Sequence, residues 1–266
     1  MSESTKRPRI VPRPATVQLF VTCLVDQFRP QVGEAVVSVL ERHGLEVGFP
    51  AGQTCCGQPA FNSGFWAEGR DVARRFIDVF EATEGPVVTP SGSCGAMVRN
   101  YYPILFREEP ATLKRVERLS ERLYEFSEFL VDGLGVQSAE GTGAGAATYH
   151  RCCHLLRELN VDEQPEALLR SAAGDGYREL ERAEVCCGFG GSFAVKMPDI
   201  STAMLDEKLD YVERSGAETL VAGDTGCIMH MEGGLRRRGS QVKVIHLAEF
   251  LDMAAAPKPL RTRALK

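Results

Sequence analysis

Eight of the nine cysteines in this 266-residue chain repeat one pattern twice: a single Cys, then Cys-Cys-Gly, then a single Cys. The first copy is Cys23, Cys55-Cys56-Gly57 and Cys94; the second is Cys153, Cys186-Cys187-Gly188 and Cys227. The leading Cys precedes the pair by 32 residues in one copy and 33 in the other, and the closing Cys follows it by 38 and 40. Thiols kept in register over such spans call for two similar folding units. They also predict a thiophilic metal centre, one in each half.

Composition sets the chemistry of those thiols. A hydrophobic fraction of 44% and a charged fraction of 25% are those of a water-soluble globular protein. At this length a core forms without disulfide staples. The odd number of cysteines argues against a closed disulfide framework, and clustered thiols in a reducing compartment mean metal or redox chemistry. A cytoplasmic metalloprotein is therefore expected. A net charge of −5 gives no electrostatic footprint for nucleic acid, and no apolar run is long enough for a membrane span.

The two halves share more than cysteines. Each opens with a short strand before its first Cys, at 17–21 and 146–150, and each closes on a similar phrase, FSEFL at 126–130 and LAEFL at 247–251. The domain boundaries predicted are a disordered basic arm at 1–15, a first domain at 16–132, a Gly-rich linker at 133–145, a second domain at 146–254 and a tail at 255–266. The linker reading rests on glycines at 133, 135, 141, 143 and 145, a composition that reads as flexible. Helical stripes (Val32, Val36, Val39 and Leu40; Val72, Phe76, Val79 and Phe80; Met204, Leu205, Leu209 and Val212) alternate with short strands at 87–88, 220–222 and 242–245. This alternation predicts an α/β fold: two duplicated domains, each a mainly parallel sheet with covering helices.

In such a fold Cys23, Cys94, Cys153 and Cys227 each follow a strand, and both Cys-Cys-Gly units lie in loops before helices. Ligands gather at the carboxyl ends of strands in open α/β sheets, so distant thiols can converge there. Four thiolates suit either zinc or an iron–sulfur cluster. Adjacent cysteines favour a polynuclear centre, because their side chains diverge and can meet different irons. Zinc in one half stays open. Neighbouring glycines (Gly57, Gly92, Gly95, Gly188, Gly190, Gly191 and Gly226) would let backbone N–H groups reach the sulfurs. The run at 188–191 lacks the G-x-G-x-x-G spacing, so no nicotinamide or flavin site is read there.

The phrases TCLVD (22–26), QTCCGQPAFNSG (53–64), PSGSC (90–94), CCGFGGSFAVK (186–196) and DTGC (224–227) resemble the cysteine-rich CCG-domain family, over roughly residues 17–252. The resemblance is greatest to its two-domain lactate-utilisation members and more distant to the cysteine-rich component of heterodisulfide reductase. It implies an iron–sulfur redox component, an oxidoreductase subunit acting with partner subunits, within a system oxidising L-lactate to pyruvate. It further implies [4Fe–4S]-type clusters held by Cys23, Cys55, Cys56 and Cys94 and by Cys153, Cys186, Cys187 and Cys227. The partners implied are a ferredoxin-like iron–sulfur subunit and a further lactate-utilisation subunit, with a small 2-hydroxy acid as substrate. An electron-transfer subunit of a glycolate or glycerol-3-phosphate dehydrogenase is the redox alternative, and a zinc-stabilised assembly scaffold the non-catalytic one.

The family pattern ends each motif in C-x-x-C, whereas Ser91 and Asp224 stand here in place of its first Cys. Either residue could supply an oxygen ligand, or an iron position could stay open. Cys152, the ninth thiol, reads as a spare buried cysteine or as a further ligand. The resemblance places His150 and His154 in the family motif, as a metal ligand, a proton donor or a hydrogen-bond partner of a cluster, while Lys196 could pair with a substrate carboxylate or offset cluster charge; each also has a bland alternative as an ordinary structural side chain. Glu128 and Glu249 recur at equivalent positions and are expected to cap the last helix of each half.

Overall fold

The computed structural model describes residues 14–142 and 145–255. The arm assigned to 1–15 and the tail assigned to 255–266 therefore lie almost wholly outside the described residues.

The first half runs β1 (Thr16–Leu19), α1 (Cys23–Phe28), α2 (Pro30–Arg42), β2 (Glu46–Gly48), α3 (Gln58–Asn62), α4 (Trp66–Glu81), β3 (Val87–Thr89), α5 (Gly92–Ala96), α6 (Tyr102–Leu105), α7 (Pro110–Arg122), β4 (Leu123–Glu125) and α8 (Phe126–Glu128). The second runs β5 (Ala147–His150), α9 (Glu163–Ala173), α10 (Ser192–Lys196), α11 (Pro198–Arg214), β6 (Thr219–Ala222), α12 (Thr225–Arg237), β7 (Lys243–His246) and α13 (Leu247–Ala254). Wider π-helical turns at Met97–Tyr101, Phe129–Gly133 and His154–Leu159 complete the helical segments.

Both sheets are parallel throughout, in the order β2-β1-β3-β4 and β5-β6-β7. The first sheet's β2 is matched in the second half by a single parallel bridge, Ala147 to Tyr177. The duplicated α/β plan is thus present in the strands as well as in the cysteines. The sequence stripes supply the cores: Val32, Val36, Val39 and Leu40 on α2, Phe76 and Phe80 on α4, and Leu205, Leu209 and Val212 on α11 are buried, while Val72, Val79 and Met204 of the same stripes lie half-buried at their edges. Pro30 opens α2 at a position where its missing N–H is not needed.

Each half has its own core, and a third core is shared. Val17, Leu19, Val36 and Phe129 of the first half pack there with Tyr149, Leu168, Val221 and Phe250 of the second. The intervening segment is tied to both sides: Ala139 N–H donates to Ser171 Oγ at 3.1 Å, and Glu140 pairs with Arg42 at 2.7 Å. Arg42 also reaches Asp252 at 2.5 Å, and Arg29 pairs with Glu232, so both ion pairs cross between the halves. The paired glutamates behave as expected. Glu128 closes a capping box with Glu125 on α8, and Glu249 closes one with His246 on α13.

Candidate metal centres

Each set of thiols gathers at the carboxyl edge of its sheet, on backbone that the glycines make possible. Cys23 begins α1 after β1, Cys94 lies in α5 after β3, and Cys227 lies in the first turn of α12 after β6. In the first half Cys23 Sγ lies 3.5 Å from Cys55 Sγ and Cys56 Sγ 3.4 Å from Cys94 Sγ, while Cys55 also meets Cys56. In the second, Cys187 Sγ lies 3.1 Å from Cys227 Sγ, and Cys186 meets both Cys153 and Cys187. All eight repeated cysteines therefore come together in two groups of four, and all nine cysteines are free thiols.

The Cys-Cys-Gly turn is built the same way twice. Gly57 N–H donates to Cys55 Sγ at 3.4 Å, and Gly188 N–H donates to Cys186 Sγ at 3.4 Å. Both glycines are left-handed, with φ of +84° and +86°. Each turn is also held from outside: Tyr102 Oη donates to the Cys56 carbonyl at 2.8 Å, and Ser201 Oγ to the Gly188 carbonyl at 2.8 Å. A Cβ on Gly188 would lie 2.6 Å from the Ser201 carbonyl oxygen, whereas one on Gly57 would lie 3.2 Å from its nearest neighbour, the Gly69 carbonyl oxygen. Gly57→Ala is expected to cost about 1–2 kcal/mol of backbone strain. Gly188→Ala should cost more, read as a larger drop in urea midpoint at unchanged slope. Equal midpoints would contradict this account of the turn.

Proton placement follows the same symmetry. Hydrogen bonds from Cys23 and then Cys56 hold Cys55 well below the ordinary thiol range, against the opposing effect of burial. Bonds from Cys153 and then Cys187 do the same for Cys186. Five other thiols are pushed up: Cys23 and Cys153 by the same bonds to Cys55 and Cys186, and Cys56, Cys187 and Cys227 by neighbouring thiols and burial. Cys55 and Cys186 are thus the favoured thiolates of their groups. A bound cation favours deprotonation of the five raised thiols, which is how metal binding releases protons. The donor chemistry fits a thiophilic centre.

Ser91 and Asp224 are paired with each other. Ser91 Oγ donates to Asp224 Oδ2 at 3.1 Å across the junction between the halves, and Ser93 N–H donates to the same oxygen at 2.9 Å. Each also caps the helix carrying the closing Cys of its half. Ser91 Oγ accepts from Cys94 N–H at 3.3 Å, and Asp224 Oδ1 accepts from Gly226 N–H at 3.1 Å. Close approach here depends on Gly92, where a Cβ would lie 1.8 Å from Leu155 Cδ1.

The other candidates separate. His154 Nδ1 lies 3.6 Å from Cys153 Sγ and its Nε2 lies 3.7 Å from Glu158. Lys196 ends α10 and is exposed. His150 is fully buried, and a ring nitrogen of it groups with the sulfurs of Cys187 and Cys227 within 4.8 Å. Burial first, then the Lys208 charge, pushes its pKa down to about 3, so the imidazole is neutral. Cys152 is buried and is a hydrogen-bond neighbour of Cys227.

Lys208 is a residue that sequence reasoning misses. It is buried on α11, with Nζ donating to the carbonyls of Arg182 at 2.9 Å and Ala183 at 3.0 Å. Burial lowers its pKa to about 8. The signal that could find it is a lysine on the same stripe as Leu205, Leu209 and Val212.

The profile of the cysteine-rich CCG domain matches this chain at residues 17–99 and again at 147–232, spanning both groups of thiols. The chain belongs to the CCG cysteine-rich domain family. Among relatives of this CCG protein, Lactate utilization protein A of Bacillus licheniformis is 46% identical over 236 residues, covering 89% of this chain and 98% of the relative. Lactate utilization protein A 2 of Bacillus mycoides is 47% identical with the same coverage. A hypothetical protein from Helicobacter pylori shares the fold, with a TM-score of 0.65 at 12% identity over 95% of this chain and 51% of that one. Among the described residues of the CCG protein, no helix is long and apolar enough to cross a membrane.

Proposed function

We propose that this CCG protein is an iron–sulfur redox component of a cytoplasmic multi-subunit system that oxidises L-lactate to pyruvate. The observation that carries the iron–sulfur reading is the matched pair of thiol groups, each with a glycine N–H on its first paired cysteine. Lactate is brought in by the names of relatives matched along nearly their full length.

In this reading Cys23, Cys55, Cys56 and Cys94 hold one cluster and Cys153, Cys186, Cys187 and Cys227 the other. Clusters of this kind supply one-electron transfer. The chain's own residues then tune and shield those centres. Gly57 and Gly188 donate hydrogen bonds to cysteine sulfur, a lever on potential. Cys56, Cys94, Cys187 and Cys227 form the dry floor of each site. His154, beside Cys153 and Glu158, is the candidate to hold and move a proton. The chain carries no dinucleotide fingerprint, so hydride chemistry is assigned to partner subunits, and electrons pass to a ferredoxin-like iron–sulfur partner.

A second reading, one zinc ion in one half, is favoured by how tightly the thiols approach. Sulfur pairs at 3.1–3.5 Å lie near the ~3.8 Å edge of a tetrahedral zinc–thiolate site. Anaerobic protein analysed for iron, sulfide and zinc, with electron paramagnetic resonance, decides between them. Brown protein with several irons and sulfides per chain is expected; colourless protein with stoichiometric zinc overturns the iron–sulfur reading. A strain lacking this chain should fail to grow on L-lactate while growing on pyruvate. Unimpaired growth on L-lactate would remove the substrate assignment.

A further inference from the structure

The two thiol groups are alike in their repeated cysteines and unlike in the residues before them. Three residues ahead of the leading Cys stand Phe20 in the first half and His150 in the second; one residue ahead stand Thr22 and Cys152. Phe20 is a fully buried core ring against Phe76, at 4.7 Å between centroids. His150 takes the same place at the end of β5 and is equally buried, but its ring nitrogens face a different problem.

Neither Nδ1 nor Nε2 of His150 has a hydrogen-bond partner of normal geometry among the described residues. The nearby Ala183 carbonyl already accepts from Arg151 N–H at 3.1 Å and Lys208 Nζ at 3.0 Å. Burying an unsatisfied polar group costs about 1–3 kcal/mol, and a phenyl ring at this position avoids that cost entirely. A ring nitrogen of His150 does lie within 4.8 Å of both Cys187 Sγ and Cys227 Sγ, atoms that also lie within 4.8 Å of each other. Metal–nitrogen and metal–sulfur bonds of about 2.0 and 2.3 Å fit one ion among the three atoms with small movements. Cys152 adds a fifth sulfur, a hydrogen-bond neighbour of Cys227 that also lies 3.7 Å from the His150 carbonyl oxygen.

We infer that the second half closes its metal centre with a ring nitrogen of His150 and the sulfur of Cys152, in addition to its four repeated cysteines. This deepens the reading that each half binds a metal centre and rests on it. The two centres are then chemically distinct: the first is ligated by cysteine alone, and the second carries an imidazole. The potential of an iron–sulfur centre depends on its ligands and their charge, so the added imidazole and thiolate give the chain two unequal electron positions.

The test uses the full chain with Cys56→Ala, which leaves only the second site intact, loaded anaerobically with iron and sulfide. Pulsed electron paramagnetic resonance, in whichever redox state is paramagnetic, is recorded with natural and ¹⁵N-labelled histidine. A directly bound nitrogen coupling that changes isotope with the label and disappears in His150→Phe is the expected result. Cys152→Thr and His150→Phe, each giving the residue found in the first half, should also speed iron loss to a chelator roughly tenfold or more. Circular dichroism establishes that the variants fold. Bound iron without a histidine coupling, or a coupling that survives His150→Phe, overturns the inference. Failure of the parent chain to bind iron and sulfide at all overturns the underlying reading instead.

Discussion

Asp224→Ala is expected to lower the melting temperature by roughly 4–20 °C, the largest stability loss from any single capping residue among the described residues. The carboxylate is buried and receives Ser91 Oγ and Ser93 N–H on one oxygen and Gly226 N–H on the other. Removing it strands three donors and takes the cap from α12. Stranding buried donors costs about 1–3 kcal/mol and losing the N-cap about 0.5–2 kcal/mol, so a loss of about 2–5 kcal/mol is expected. Ser91→Ala leaves Asp224 with two backbone donors and removes the α5 cap, so about 1–2 kcal/mol is expected. Because the two residues touch, a double-mutant cycle should show coupling of about 0.5–3 kcal/mol. Additive losses, or an Asp224→Ala change below about 1 kcal/mol, would show that the pair does not hold the halves together.

That pair also marks where sequence reasoning stops. In the sequence Ser91 and Asp224 are visible only as missing thiols, which points to ligand chemistry rather than to each other. Their bond joins residues 133 apart, and no local pattern encodes it. The positions belong to the junction because each caps the helix that carries a closing cysteine, and the two helix starts face each other. Cysteine register, by contrast, is readable because duplication repeats a long-range constraint at fixed spacing. The parallel strands are readable for a related reason: short apolar runs alternate with helical stripes, as at 87–88 and on α4. The reduction of β2 to one bridge at Tyr177 is not, since a strand's pairing depends on its neighbour more than on its own residues. His150 shows in the sequence as a motif histidine whose role as ligand, proton donor or structural side chain stays open. Its meaning comes from burial without a partner, which is a tertiary property.

Cys187→Ala is expected to abolish metal at the second site and leave the first site's iron, sulfide and paramagnetic signal in place; Cys56→Ala should do the reverse. Each of these cysteines is the middle of its group. Cys56 meets Cys55 on one side and Cys94 on the other, and Cys187 meets Cys186 and Cys227. Their removal separates the preferred thiolate from the closing cysteine, so the remaining sulfurs no longer surround one centre. Each sits in the core of its own half, Cys56 with Phe76 and Phe80 and Cys187 with Leu205 and Ile228, so the loss should stay local. Trimming a buried sulfur is a small change, within the ordinary range of about 0.5–3 kcal/mol, so both variants should fold. Circular dichroism unchanged alongside halved iron is therefore the expected pairing of results. Loss of both signals from either substitution would mean that the junction at Ser91 and Asp224 couples metal binding across the halves, and that the two centres do not form independently.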